Sequence, residues 1–305
     1  MKRYILVIGS SNTDMVAKTD RLPAPGETVL GGAFFMAPGG KGANQAVAAA
    51  RLGASVSFIA KVGDDIFGRQ AVEGFAKEGI DTSLVAVDAG NPSGVALITV
   101  DAKGENCIVV ASGANANLLP GDLSGVADVI KNAALILMQL EIPLETVELV
   151  TRLAAAGHVP VILNPAPAQA LPDALLRDVY ILTPNQKEAE MLTGIPVVDR
   201  ASAEAAAGAL AAKGVNVVII TMGAAGALLL DNGRSEWVPA VEVNAVDTTA
   251  AGDVFCGALT VALSEGQPVK EAVVFAGAAA ALSVTRMGAQ TSAPTRREVE
   301  EFVRR

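Results

Sequence analysis

The chain has one histidine and two cysteines in 305 residues, and both scarcities exclude chemistry. His158 sits in Ala-Ala-Gly-His-Val-Pro, between a helical pattern and an apolar run, which is the setting of a loop residue. A histidine-based triad is disfavoured, so a general base falls to a carboxylate, Lys, Tyr or Cys. Cys107 and Cys256 stand far apart and outside any Cys-x-x-Cys spacing. That argues against a disulfide framework or a structural zinc site and fits a reducing cytoplasm. Positive charge is also in short supply: 23 Lys and Arg face 32 Asp and Glu, a net charge of −9. Such a surface repels nucleic-acid backbones, and any phosphate ligand needs a local feature to overcome the field. No apolar run is long enough for a membrane span, since the stretch 215–230 is broken by Asn216, Thr221, Gly223 and Gly226. The run after Lys2-Arg3 is too short for a signal-peptide core.

What the chain does have is apolar surface to bury, 51% hydrophobic residues against 18% charged. Short Val, Ile and Leu runs recur at 4–8, 56–60, 135–139, 159–163, 179–182 and 217–221. They read as strands buried on both faces. Helical patterns lie between them at 43–52, 70–77, 144–155 and 203–213, and Gly53 suits the end of the first. This alternation predicts an α/β, Rossmann-like three-layer sandwich with a mostly parallel sheet. Two segments break it: 16–38, with extended patches at 28–30 and 33–36, and 93–112, with runs at 95–100 and 107–111 around Asp-Ala-Lys-Gly-Glu. They read as a small antiparallel β lid outside the main sheet. The expected division is an α/β body of 1–11, 42–92 and 113–305, with lid segments 12–41 and 93–112.

The strongest local signal is Asp247-Thr-Thr-Ala250-Ala251-Gly252-Asp253-Val-Phe-Cys-Gly257, small residues leading into a helical pattern. Free N–H groups of 250–253 at a helix N-terminus, with the dipole, make an anion site that small side chains leave open. Such a hole can stabilise a transferring phosphoryl group, and Asp253 beside it can accept a proton from a hydroxyl. A lone Gly-Asp here would read as a capping pair. The Thr-Thr-Ala-Ala-Gly run is more than a cap requires. The second signal, Pro38-Gly-Gly40-Lys41-Gly-Ala-Asn44-Gln45, offers backbone N–H groups, a cation and an amide, the mixed donors and acceptors that a polyhydroxylated ligand needs. It is not a Walker motif, because Gly42 follows Lys41, and Gly9-Ser-Ser-Asn12-Thr-Asp14 is not a dinucleotide fingerprint. Asn12, Asp14 and Glu141 follow strands, at the ends where parallel sheets bind ligands. Thr183-Pro-Asn185-Gln-Lys-Glu188 and Thr221-Met-Gly223-Ala-Ala-Gly226 are weaker, and read alone as a helix cap and a glycine turn.

Taken together, these residues resemble the ribokinase-like (phosphofructokinase-B type) carbohydrate kinase family. The likeness spans essentially the whole chain. Its two signature regions are 39–45 and 247–257, and further matches are Leu137-Met-Gln-Leu-Glu141, Asn164-Pro-Ala-Pro-Ala, Thr183-Pro-Asn and Thr285-Arg-Met-Gly-Ala-Gln. The resemblance implies transfer of the ATP γ-phosphate to the 5-hydroxyl of D-ribose. It makes Asp253 the base, with Ala250, Ala251 and Gly252 as the anion hole. It makes Asn12, Asp14, Gly40, Lys41, Asn44 and Glu141 the sugar set, and Asn185, Thr221, Gly223, Gly226 and Gly252 the nucleotide set. It ties Glu188 to Mg²⁺, and Asp247, Thr249, Ser283, Arg286, Gly288 and Ser292 to an activating K⁺. It also implies a homodimer formed through the lid. Gly277, Cys256 and Met287 depart from the family pattern; the first leaves the nucleotide base preference open. The rival expectations are a kinase for 2-deoxyribose, another sugar or a nucleoside, and a non-catalytic sugar or nucleotide sensor.

Overall fold

The computed structural model describes residues 4–304; the ends of the expected body, 1–3 and 305, lie outside the described residues. The strands are β1 (Ile5–Ile8), β2 (Asn12–Lys18), β3 (Phe34–Gly39), β4 (Val56–Gly63), β5 (Val85–Asp88), β6 (Gly94–Val100), β7 (Asn106–Ala111), β8 (Leu135–Met138), β9 (Val161–Leu163), β10 (Ile181–Leu182), β11 (Val217–Thr221), β12 (Ala227–Asp231) and β13 (Arg234–Val238). The helices are α1 (Lys41–Arg51), α2 (Ile66–Lys77), α3 (Ala127–Asn132), α4 (Leu144–Ala156), α5 (Asp173–Asp178), α6 (Gln186–Thr193), α7 (Arg200–Ala212), α8 (Ala251–Ser264), α9 (Val269–Ser283) and α10 (Arg296–Val303).

The main sheet runs β13-β12-β11-β10-β9-β8-β1-β4-β5. Every pair from β11 to β5 is parallel, and β12 and β13 add an antiparallel edge. The period-2 pleat sorts each strand between two cores. Ile5, Val7, Leu137, Ile162 and Ile219 pack under α1, α8 and α9, while Leu6, Ile8, Met138, Leu163 and Ile220 face α4 and α7. This is the expected three-layer sandwich. Helices start earlier than the apolar pattern indicates, at Lys41, Ile66 and Arg200: the first turns of α1 and α7 are polar or small, and Gly68 interrupts the pattern in α2.

A separate sheet, β3-β2-β6-β7, stands beside the main one. Its two hairpins, β2–β3 and β6–β7, are antiparallel, and β2 pairs with β6 in parallel to join them. The patch 28–30 forms no strand; β3 instead begins at Phe34 and runs through Gly39 to the start of α1. The sheet leaves Phe34, Met36, Leu97, Ile108, Val109 and Val110 exposed. Where it leaves the body, Asn115 acts as a clamp: its Oδ1 accepts from Ser11 N at 2.9 Å and its Nδ2 donates to Asn12 Oδ1 at 2.7 Å. His158 lies exposed in a turn, with φ 55°, as a loop residue. Among the described residues no helix is long and apolar enough to cross a membrane.

Candidate active site

The site grows from two helix N-termini. Helix α1 begins after Gly40, whose φ of 89° and close approach to Asn12 N leave no room for a side chain. Gly42 lies on the Gly9 backbone, where a Cβ would come within 2.6 Å of the Gly9 carbonyl carbon. The turn therefore presses onto the end of β1. Gly40 offers no side-chain cap, and Glu141 takes that part from a distant loop. Its Oε2 accepts from Lys41 N at 3.0 Å and from Ser10 Oγ at 2.5 Å. A carboxylate at this terminus also complements the helix dipole.

Helix α8 brings the other terminus. Asp253, in its first turn, is buried. Asn44 Nδ2 donates to its Oδ2 at 2.9 Å and Gln45 Nε2 to its Oδ1 at 3.0 Å. One turn on, Gly257 permits the approach: a Cβ there would stand 2.8 Å from the Gln45 carbonyl oxygen and from Ala48 Cβ. Burial pushes the Asp253 pKa up, against the opposing pull of Lys41 and the two amide donors. Burial draws the Lys41 ammonium down, but Asp253, Glu141 and Glu188 together hold it above its ordinary value. Asp14 lies against Gly39, and burial, with help from Glu141 and Asp253, raises its pKa to about 6.

The loop before α8 shapes the expected anion hole. Asp247 Oδ1 accepts from Thr249 N and its Oδ2 from Gly288 N, at 2.9 and 2.8 Å. Ala250 takes a left-handed φ of 58°. Ala251 N turns back to the Thr248 carbonyl at 3.3 Å, so the donors left for a ligand are Ala250, Gly252 and Asp253 rather than the whole run. Gly252 faces open space. It lines a cavity of about 800 Å³ together with Thr221, Gly223, Gly226, Thr248 and Ala251. Phe255, Val273, Gly277, Ala280 and Val284 form apolar walls. Gly226 is fixed by the turn itself, as a Cβ would meet Val238 O at 2.1 Å.

Asn185 borders Thr221 through an isolated bridge, and caps α6 in a reciprocal box with Glu188. Glu188 is buried, and burial raises its pKa. A single desolvated carboxylate fits a hydrated Mg²⁺ that takes its remaining ligands from phosphates and water. No cluster of three or more His, Cys, Asp and Glu suited to a metal occurs among the described residues. In the expected K⁺ set, Asp247 joins Thr249 and Gly288 through its carboxylate. Ser283 and Arg286 share the turn after α9, where Arg286 N donates to the Ser283 carbonyl. The Arg286 guanidinium pairs with Glu298, and the Ser292 hydroxyl bonds within its own turn, to Ala289 O.

A family model for pfkB family carbohydrate kinases matches residues 2–296. The chain belongs to this family. It is 46% identical over 303 residues to a ribokinase of Haemophilus influenzae, covering 99% of both chains. It is 41% identical over 302 residues to a deoxyribokinase of Salmonella typhi, covering 98% of both. The structure of an Arabidopsis thaliana ribokinase complexed with ribose and ATP superposes with a TM-score of 0.94 at 32% identity, covering 100% of both chains. In this kinase chain, sequence reasoning gave no role to Ser10, Gln45, Gln139 or Asn164, although the last three lie inside motifs that carry the resemblance. Those three are isolated uncharged amides, which a pattern search for acids and bases passes over, and their burial appears only in the fold.

Proposed function

We propose that this chain is a ribokinase, which transfers the γ-phosphate of ATP to the 5-hydroxyl of D-ribose. One observation carries the reading. A single helix N-terminus serves both substrates: Gly252 lines the large cavity, and the next residue, Asp253, is gripped by Asn44 on the other side. ATP occupies the cavity, its base among the apolar walls and its phosphates toward Gly252. Ribose lies between this terminus and the second sheet. Asn44 Oδ1 is buried with no partner and is suited to accept a sugar hydroxyl proton. Asp14, Lys41 and the Gly40 turn complete the set. Asn12 Oδ1 is taken by Asn115, so its NH₂ is the group left for the sugar. Glu141 shapes the turn from behind.

In the reaction the 5-oxygen attacks the γ-phosphorus, the bond to the β-phosphate bridge breaks, and ADP leaves. Asp253 accepts the hydroxyl proton, and its raised pKa suits it to do so. The amides of Gly252 and Asp253 and the ammonium of Lys41 stabilise the charge on the transferring group. Mg²⁺, held near Glu188, supplies neutralisation of the phosphate charge when bound. Asp247, Thr249, Ser283, Arg286, Gly288 and Ser292 would hold K⁺, whose charge would help order the loop that carries the hole. The second sheet, within 12–41 and 93–112, is the lid over ribose. Its exposed apolar face pairs with a second copy in a homodimer, which covers that face. Two free cysteines fit the reducing cytoplasm. Phosphorus NMR of the product tests the regiochemistry: ribose 5-phosphate is expected, and phosphate on another hydroxyl contradicts the pose.

A further inference from the structure

Behind Asp253 lies a chain of buried amides that touches neither proposed substrate. Gln45 Nε2 donates both to Asp253 Oδ1 and to Asn164 Oδ1, at 3.0 and 3.2 Å. Gln139 Nε2 donates to Gln45 Oε1 at 2.6 Å, and Asn164 Nδ2 donates to the Thr183 backbone carbonyl at 3.0 Å. Gln45 and Gln139 are 0% exposed. The direction of this chain is forced. A backbone carbonyl can only accept, so Thr183 turns the Asn164 NH₂ toward itself and its oxygen toward Gln45. That oxygen requires the Gln45 NH₂, which then also faces Asp253 and leaves Oε1 for Gln139. The last link makes room at a cost: Gln139 Oε1 is buried without a partner, against Gly9, where a Cβ would come within 2.1 Å of it.

We infer that Gln45, locked in one orientation by Gln139 and by Asn164 through the Thr183 carbonyl, is a positioning residue that keeps Asp253 aimed and ionised for proton transfer. A glutamine free to rotate could present its oxygen once Asp253 takes the proton, and would then hold the protonated form. The locked one presents only donors, which favour the carboxylate in every state of the cycle. The aim matters because a base displaced by a fraction of an ångström loses its line to the hydroxyl. The other groups that act on Asp253 are Lys41 and Asn44 from α1, Glu141 from the loop after β8, Glu188 from α6 and Asp14 from β2.

This inference rests on Asp253 being the base, and the test separates the two. Gln45→Met and Gln139→Met are compared with the unaltered enzyme by kcat, KM for ATP and the pH profile of kcat, with Tm recorded for each. Gln45→Met is expected to lower kcat roughly 10- to 100-fold, leave KM for ATP within about twofold, and move the acid limb of kcat to higher pH. Gln139→Met, which removes one of the two restraints on Gln45 without touching Asp253, is expected to move the same limb in the same direction by less. A Tm change in either variant with kcat within twofold and the limb unmoved overturns the positioning role and leaves plain packing. Near-normal turnover by Asp253→Asn would instead overturn the assignment of the base.

Discussion

Asn44 Nδ2 lies 2.9 Å from Asp253 Oδ2, which ties the first glycine-rich motif to the second across 209 positions. The bond makes the turn before α1 and the start of α8 one unit. Because the amide spends its nitrogen on Asp253, its oxygen is left for a hydroxyl. Asp253→Asn should keep ribose binding while kcat falls by about 10²- to 10⁴-fold, the usual worth of a positioned general base. Calorimetry with ribose and a coupled ATPase assay measure the two separately, and a kcat within tenfold of normal contradicts the role.

Gly257 should prove as sensitive as a catalytic residue, though it touches no substrate. Gly257→Ala places a methyl 2.8 Å from the Gln45 carbonyl and from Ala48 Cβ, and α8 must move off α1. Overpacking of this kind costs about 1–3 kcal/mol. The thermal midpoint should fall, and kcat should fall with it, since the shift separates Asp253 from Asn44 and Gln45. An unchanged midpoint and unchanged kcat would show that the helices tolerate the wider spacing.

Asp14 gives the site a pH dependence of defined sign. Folding lifts its pKa from 3.8 to about 6, so the folded state holds the proton more tightly. Asp14 therefore works against folding above pH 6, and this penalty fades as pH falls through 6 toward 4. Asp14→Asn should raise the thermal midpoint at pH 8 and not at pH 4. In the proposed sugar set its ionised form accepts the hydroxyls, so ribose affinity should weaken below pH 6. Titrating ribose into Asp253→Asn from pH 4 to 8 separates this effect from the base, with the midpoint displaced below 6 because one of the charges that raise the Asp14 pKa is gone. Flat affinity over that range would remove Asp14 from the sugar contacts.

The carboxylate of Asp247 ties the loop before α8 to Gly288, and thereby couples the anion hole to the proposed K⁺ loop. K⁺ should raise the rate more than Na⁺ does, and Asp247→Ala should lower kcat and abolish the difference. Equal rates in the two salts for the unaltered enzyme would remove the cation assignment.

The sandwich was legible because its strands are short apolar runs and its helices keep a regular apolar face. The pleat then sorts alternate residues, such as Ile5 and Leu6, to opposite cores. Asp253, Lys41 and Asn44 drew notice because glycines and small residues surround their polar groups, and the structure brings the three together. The parallel β2–β6 pairing was not, because the order in which two hairpins join leaves no local pattern. Nor was the part Glu141 plays behind Lys41, which depends on a contact 100 positions away. The amides of Gln45, Gln139 and Asn164 were hidden for a similar reason: each acts only through the next, and the first link spans 94 positions.

The most direct test of the central claim is ATP consumption in buffer with K⁺ and Mg²⁺, measured in parallel with ribose, 2-deoxyribose, fructose and adenosine. The account predicts the highest kcat/KM for ribose, with a marked loss for 2-deoxyribose as a buried acceptor goes unpaired. A higher kcat/KM for 2-deoxyribose, or no turnover of ribose, would contradict it.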